Sequence, residues 1–333
     1  MITLTPRSRQ TPRPAWTRER LERERAIAIG SSIDASSLAS YSSALNSYIT
    51  FCSLHHFPVE PTLDTLSFYT VYMCHYLRPK SVDSYLSGIC NQLEPYFPNI
   101  RSLRYHHLVA RTLKGCKKLR ACPTTRKSAL SRSDLARLHP TYATSNSHDD
   151  LLFYSMLLTG FHGLHRLGEL SWPDRKDLQD YRKVIMRHSV IRHRSSYEYF
   201  LPGHKADRFF EGNRVIIQGT HTPDDPLRPF LMYLASRDRC HPLRPELWLT
   251  SNGNIPTRSW FMHRLHQHFP ADIGGQSMRA GGATALAEAG VSPELIQAIG
   301  RWSSEAFKIY IRHHPVLLAA LLYARRAHAP TSL

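Results

Sequence analysis

The sequence predicts a mainly α-helical protein with one small antiparallel β-sheet, an α+β arrangement in two domains. Three observations carry this. The chain has 333 residues, more than the roughly 100–200 of a typical single domain. Apolar residues recur at 3–4 spacing through residues 34–120 and again through much of 131–312, the mark of amphipathic helices. Alternation is confined to residues 183–218, which is enough for a small sheet only.

Residues 1–30 read as a disordered basic tail, with Arg7, Arg9, Arg13, Arg18, Arg20, Arg23 and Arg25 among prolines. Residues 31–120 read as a helical domain. Asp34 caps a helix bearing Leu38, Tyr41, Leu45, Tyr48, Ile49 and Cys52 on one stripe. A second helix starts near Thr62 and carries Leu66, Tyr69, Met73 and Leu77. A third starts at Pro79 and Ser81, and a fourth spans Arg104 to Arg120. Residues 121–130 form an exposed basic linker.

The second domain covers residues 131–325, with a short tail at 326–333. Ser131 or Ser133 caps its first helix. Helical periodicity covers 149–170. Alternation at Lys183–Ile191, Tyr197–Leu201 and Arg214–Gln218 predicts the sheet. Helices follow near 227–238, 257–268, 280–289, 293–299 and 304–312.

Composition narrows the function. Hydrophobic residues make up 42%, so the chain can bury cores. No apolar run approaches the roughly 20 residues of a membrane span. The Arg- and Pro-rich start lacks the apolar core of a secretory signal. Six cysteines (Cys52, Cys74, Cys90, Cys116, Cys122 and Cys240) form no CxxC pair, so reduced intracellular thiols are the default. The twenty histidines match no zinc spacing, and no metal site or cofactor is expected. The formal net charge of +17 points to a polyanion, with nucleic acid first.

That charge is uneven. Between Pro95 and Ser133 there are ten Lys or Arg and no Asp or Glu. Like charges without acids among them repel. Phosphate contact explains the window better than a solvated face, and affinity should then fall with salt. The candidate DNA-binding residues are Arg104, Arg111, Lys114, Lys117, Lys118, Arg120, Arg126 and Lys127. Arg104, Arg111, Lys114 and Lys118 fall on one helical face.

Four segments of the second domain carry the chemistry. In Gly163-Leu164-His165-Arg166-Leu167-Gly168-Glu169-Leu170, Arg166 and Glu169 share a helix face, so the carboxylate can orient the guanidinium. In Leu201-Pro202-Gly203-His204-Lys205-Ala206-Asp207, a lysine sits between two strands. In Gln276-Ser277-Met278-Arg279-Ala280-Gly281-Gly282-Ala283-Thr284, an arginine stands at a helix start, where an anion rather than a cation is favoured. The fourth segment runs from Ile299-Gly300-Arg301-Trp302-Ser303-Ser304 to Tyr310-Ile311-Arg312, with Gly300 ending one helix and Ser303 or Ser304 capping the next. Taken singly, these are a surface ion pair, a solvated lysine, a packed helix and a half-buried aromatic.

Taken in order, they resemble the tyrosine recombinases, the phage integrase family, over residues 131–315. The wording of residues 300–312, with Leu201-Pro202 before Lys205, is most similar to eukaryotic Crypton-type and related fungal mobile-element recombinases. The resemblance implies an N-terminal helical core-binding (SAM-like) domain and a catalytic domain forming a C-shaped clamp on double-stranded DNA. It implies metal- and ATP-independent site-specific recombination or integration. Arg166 and Arg279 would hold the scissile phosphate and neutralise its transition state. Lys205 would protonate the leaving 5′ oxygen. Tyr310 would attack phosphorus and form a 3′-phosphotyrosine. Glu169 would support Arg166. The late His/Trp slot falls on Trp302 by residue type or on Arg301 by counting. The apolar segment Val316–Ala324 would dock either in cis or on a neighbour in a homotetramer. A DNA substrate implies an intracellular protein, nuclear if the source is eukaryotic.

Two positions depart from the pattern, the late slot being one of them. The family's His or Lys three residues before the second arginine is Gln276 here. An amide donates a hydrogen bond but neither takes a proton nor carries charge. Losing that group costs on the order of 10²–10⁴ in rate. Two alternatives therefore stand beside the recombinase: an impaired or domesticated copy that binds DNA without cutting it, and a type IB topoisomerase.

Overall fold

Local side-chain chemistry starts most of the helices. The computed structural model describes residues 13–120, 127–203, 207 and 211–302. The chain divides into two compact units, residues 1–124 and 125–333.

The first unit begins with α1 (Arg18–Gly30), where the Thr17 hydroxyl accepts from the Arg20 N–H at 3.3 Å. The disordered tail expected over residues 1–30 is corrected for this stretch. Ala, Leu, Glu and Arg favour helix, and Arg18 pairs with Glu22 one turn on at 3.0 Å. No residue of α1 is buried. Then come α2 (Ala35–Leu54), α3 (Leu63–Tyr76), α4 (Pro79–Leu93), α5 (Ile100–Tyr105) and α6 (His107–Leu119). Thr62 and Thr65 cap α3 reciprocally, at 3.1 and 2.9 Å. Tyr48, Phe51 and Cys52 of α2 meet Leu66 and Tyr69 of α3 and Leu86, Ile89 and Leu93 of α4. Leu38 and Ile49, expected on the apolar stripe of α2, are exposed. Helix α4 packs on the Ala44–Phe51 face instead.

The fourth expected helix, 104–120, is two helices joined at His106. The His106 side chain accepts from the Leu108 N–H. Arg104 therefore belongs to α5 and does not share a face with Arg111, Lys114 and Lys118 of α6.

The second unit opens with α7 (Arg132–Tyr142), capped reciprocally by Ser131 and Asp134 at 3.1 and 2.9 Å. Next are α8 (His148–His162) and α9 (Leu167–Leu170). The continuous helix expected over 149–170 breaks at residues 163–166, where Leu164 adopts a left-handed φ of 50°. Strands β1 (Ile191–Arg192), β2 (Ser196–Leu201) and β3 (Asn213–Gln218) form an antiparallel sheet in that order. Its register pairs Ile191 with Glu198, Tyr199 with Val215, and Leu201 with Asn213. The strand expected over Lys183–Ile191 is corrected to 3₁₀ turns with Ile191 alone at the sheet. The backbone groups of Ile185 and Arg187 bond to Leu247 and Pro245, at 2.8 and 2.7 Å, rather than to β2.

The remaining helices are α10 (Leu227–Cys240), α11 (Arg258–His266), α12 (Ser277–Glu288) and α13 (Pro293–Ile299). At the centre lies α8, whose residues Leu151 to Phe161 are all buried, with α7, α10 and α12 packed against it. Gly282 lets α12 approach, because a Cβ there would lie 2.1 Å from the Phe161 carbonyl oxygen. From β2, Tyr197, Tyr199 and Leu201 face inward, as the period of two requires. Tyr197 stacks on Phe230 of α10 at 3.8 Å and hydrogen-bonds Thr159 of α8 at 2.8 Å. The helices expected at 304–312 and 316–324 lie outside the described residues. Among the described residues no helix is long and apolar enough to cross a membrane, and no three metal-ligating side chains cluster.

Candidate functional site

The first site arginine hangs from the end of the most buried helix. After α8 ends, the left-handed Leu164 turns the chain so that His165 and Arg166 precede the short α9. Glu169, on α9, reaches back. Its carboxylate accepts from Arg166 Nη1 at 3.0 Å, from the Arg166 N–H at 3.2 Å and from His165 Nδ1 at 3.0 Å. Arg301 Nη2 completes the set at 3.1 Å. The opposite ring nitrogen of His165 accepts from the Tyr199 hydroxyl of β2 at 2.5 Å. A relay thus runs from the sheet through Tyr199, His165 and Glu169 to Arg166.

The protonation states follow from burial and charge. His165 has no exposed surface. Desolvation, and next the charge of Arg301, push its pKa down to about 4, so it is neutral near pH 7. Neutral His165 donates from Nδ1 and accepts at Nε2, which matches both partners. Burial would raise the Glu169 pKa, but the His165 hydrogen bond and the charges of Arg301 and Arg279 outweigh it and hold the carboxyl well below the usual range. Only 5% of the Glu169 side chain is exposed, so this is a buried carboxylate with full polar satisfaction.

Arg279 is the third residue of α12 and is almost wholly buried. Its guanidinium donates to the main-chain carbonyls of Leu164 and Gly300 and lies 4.0 Å from the centre of the Trp302 ring. Gly300 is required here, because a Cβ would overlap the Trp302 ring at 1.5 Å. Arg301, with a left-handed φ of 56°, reaches Glu169. Three guanidiniums therefore gather around one carboxylate and one neutral imidazole, leaving the cluster cationic. Such a cluster suits a phosphate whose negative charge grows during reaction.

The structure brings together Arg166, Glu169, Arg279, Arg301 and Trp302. The two candidates for the late slot separate: Trp302 stacks on Arg279, whereas Arg301 pairs with Glu169. Gln276 is exposed at the N-terminus of α12 and makes no side-chain hydrogen bond among the described residues. Lys205 and Tyr310 lie outside the described residues. His165 and Tyr199 are additions. Their only signals in the sequence are the position of His165 beside Arg166 and that of Tyr199 on the inward face of an alternating strand.

In the first unit the basic window is partly neutralised from a distance. Asp83 of α4 accepts from Arg104 at 3.0 Å and from Lys117 at 2.8 Å. Burial opposes ionisation of Asp83, but these two hydrogen bonds prevail and lower its pKa. Arg104 is mostly buried, so its first role is structural. Arg120 contacts the His75 ring. Arg111, Lys114 and Lys118 remain exposed along α6. In the second unit, the Lys127 ammonium donates to the Ala271 carbonyl at 2.5 Å. Arg126 lies outside the described residues.

No protein-family model and no curated protein matches the chain in sequence. Solved structures match it in fold. The XerH site-specific recombinase, bound to palindromic difH substrate after cleavage, superposes with a TM-score of 0.58, 14% identity, and coverage of 86% of this chain and 79% of that one. The Tn1549 transposon integrase in complex with transposon right-end DNA gives 0.52 and 16%, covering 81% and 86%. The lambda integrase tetramer bound to a Holliday junction gives 0.51 and 14%, covering 87% and 75%.

The fold is that of the tyrosine recombinases. The small sheet and the surrounding helices of the second unit match the catalytic fold of these proteins. In this recombinase fold, the turn bearing Arg166 and the start of α12 bearing Arg279 meet at the Leu164 carbonyl.

Proposed function

We propose that the chain is a site-specific DNA recombinase or integrase of a mobile element, of the Crypton type, that cuts and rejoins DNA through a 3′-phosphotyrosine. One observation carries the reading: in a chain with the recombinase fold, Arg166, Glu169 and Arg279 converge on one cationic cluster. Arg166 binds a non-bridging oxygen of the scissile phosphate while Glu169 fixes its orientation. Arg279 binds a second oxygen. Together they neutralise the pentacovalent transition state. Tyr310 gives its phenolic proton to water and attacks phosphorus, the bond to the 5′ oxygen breaks and Lys205 protonates that oxygen, so the bond energy is kept in the phosphotyrosine and no ATP is consumed. Arg111, Lys114 and Lys118 of the first unit track the duplex backbone. Val316–Ala324 joins protomers into a tetramer, and in a eukaryotic source the protein acts in the nucleus.

The test uses a duplex that the full-length chain selects from a random-sequence library, then nicks to trap cleavage. Wild type forms an SDS-resistant covalent complex and Tyr310→Phe forms none. Equal trapping by both proteins overturns the assignment.

A second reading is a protein that grips DNA without cutting it. Gln276, exposed and without a side-chain hydrogen bond among the described residues, favours it, since an amide supplies no base. Gln276→His restoring cleavage shows a site otherwise assembled. No gain, with binding intact, supports the second reading.

A further inference from the structure

We propose that Arg301 is a positioning residue: it acts through Glu169, tying the turn that leads toward Tyr310 to the carboxylate that orients Arg166. The proposal rests on the recombinase reading and adds to it the means by which the two halves of the site are held in register.

The geometry points one way. Arg301 is a non-glycine residue in the left-handed region, a conformation that costs energy and persists only where its surroundings hold it. That backbone turns the side chain inward, and 8% of it is exposed. Its guanidinium donates to Glu169 at 3.1 Å and to the carbonyls of Gly163 and Ile299 at 3.3 and 3.1 Å. Gly163 and Glu169 both belong to the turn that presents Arg166. The neighbouring residues hold the other arginine: Gly300 accepts from Arg279, and Trp302 covers it. The three residues Gly300, Arg301 and Trp302 thus touch the surroundings of both site arginines. In sequence they stand eight to ten residues before Tyr310.

The chemistry is specific to a guanidinium. Glu169 already accepts from Arg166 and His165. A further charge-assisted bond keeps the carboxylate ionised without drawing a proton onto His165. Four groups face the His165 ring: Glu169 from its own turn, Tyr199 from β2, Arg301 and Arg279. Removing Arg301 leaves Glu169 with less compensating charge, and His165 then competes for a proton.

The test pairs a spectroscopic readout with a kinetic one, on the full-length chain. In histidine-labelled protein, His165 is assigned by its loss in His165→Asn and titrated by NMR. Arg301→Met raises the His165 titration toward the ordinary histidine range, and Arg301→Lys raises it less. No movement in either variant overturns the proposal. Single-turnover cleavage of the selected duplex slows by about 100-fold in Arg301→Met, the scale of a misplacement of about 1 Å. The double variant with Glu169→Gln is no slower than the slower single. Multiplicative losses overturn the proposal. So does a fall of about one in the salt slope of DNA binding, which would mean that Arg301 holds a phosphate directly. If Arg301→Met fails a thermal-melt control, Arg301→Lys carries the same comparisons. Failure of wild type to form a covalent complex removes the recombinase reading, while the His165 titration still decides the geometry.

Discussion

Replacing Glu169 by Gln keeps the shape of the site and removes the carboxylate that pairs with Arg166 and Arg301. Glu169 is 5% exposed and ion-paired to Arg166, 22% exposed, and Arg301, 8% exposed. Breaking a buried charge pair costs about 3–5 kcal/mol, because the partner charge stays buried without compensation. The Gln carbonyl still accepts one hydrogen bond, which returns about 1 kcal/mol. The net loss is about 3 kcal/mol. For a unit of about 200 residues that corresponds to a fall in Tm of about 6–12 °C. Tryptophan fluorescence isolates the unit concerned: Trp172, Trp248, Trp260 and Trp302 lie in the second unit and only Trp16 in the first. Asp177→Asn, which breaks an exposed pair with Arg175, serves as the control and should leave Tm unchanged. A drop of under about 2 °C in Glu169→Gln would refute the view that this carboxylate holds the buried arginines.

Acid should weaken the same unit. The folded pKa of His165 is depressed to about 4 against 6.5, so the unfolded chain binds the extra proton between those values. Stability then falls as pH drops from 6.5 to 4, by up to about 3 kcal/mol. Glu169, also depressed, adds a further loss below about pH 4.5. Urea midpoints across pH measure this, and His165→Asn should flatten the slope. Gly282→Ala forces a Cβ against the Phe161 carbonyl and should yield insoluble or strongly destabilised protein, read by soluble expression and melting. Replacing Arg111, Lys114 and Lys118 with Gln should lower the salt slope of DNA binding by about 2–3 with folding intact. Arg104→Gln should instead lower the Tm of the first unit, since Arg104 bonds Asp83.

What the sequence made legible was local. Thr62, Ser131 and Pro79 start helices because their chemistry acts within a few residues. The Arg166–Glu169 pairing is likewise one helical turn long. The misses needed distant partners. Asp83 stands 21 residues before Arg104, so a window without acids was not a window without counter-charge. The break after α8 falls at Leu164, a residue that gives no sign of a left-handed turn. Residues 183–191 alternate in polarity, yet their backbone groups pair with residues 245–247. The inward turn of Arg301 depends on Glu169, 132 residues earlier. The helix α1 was hidden by prolines and charge that resemble a solvated tail.

Helix α8 has a kinetic consequence. With every residue from Leu151 to Phe161 buried, it has no face on which to persist once its neighbours leave. Its amides should therefore exchange with solvent only through global opening of the second unit. The turn carrying Arg166 is the direct continuation of that helix. The phosphate-binding geometry should accordingly behave as all or nothing: destabilising substitutions elsewhere in the unit would reduce the fraction of competent molecules and leave the rate of each competent one unchanged.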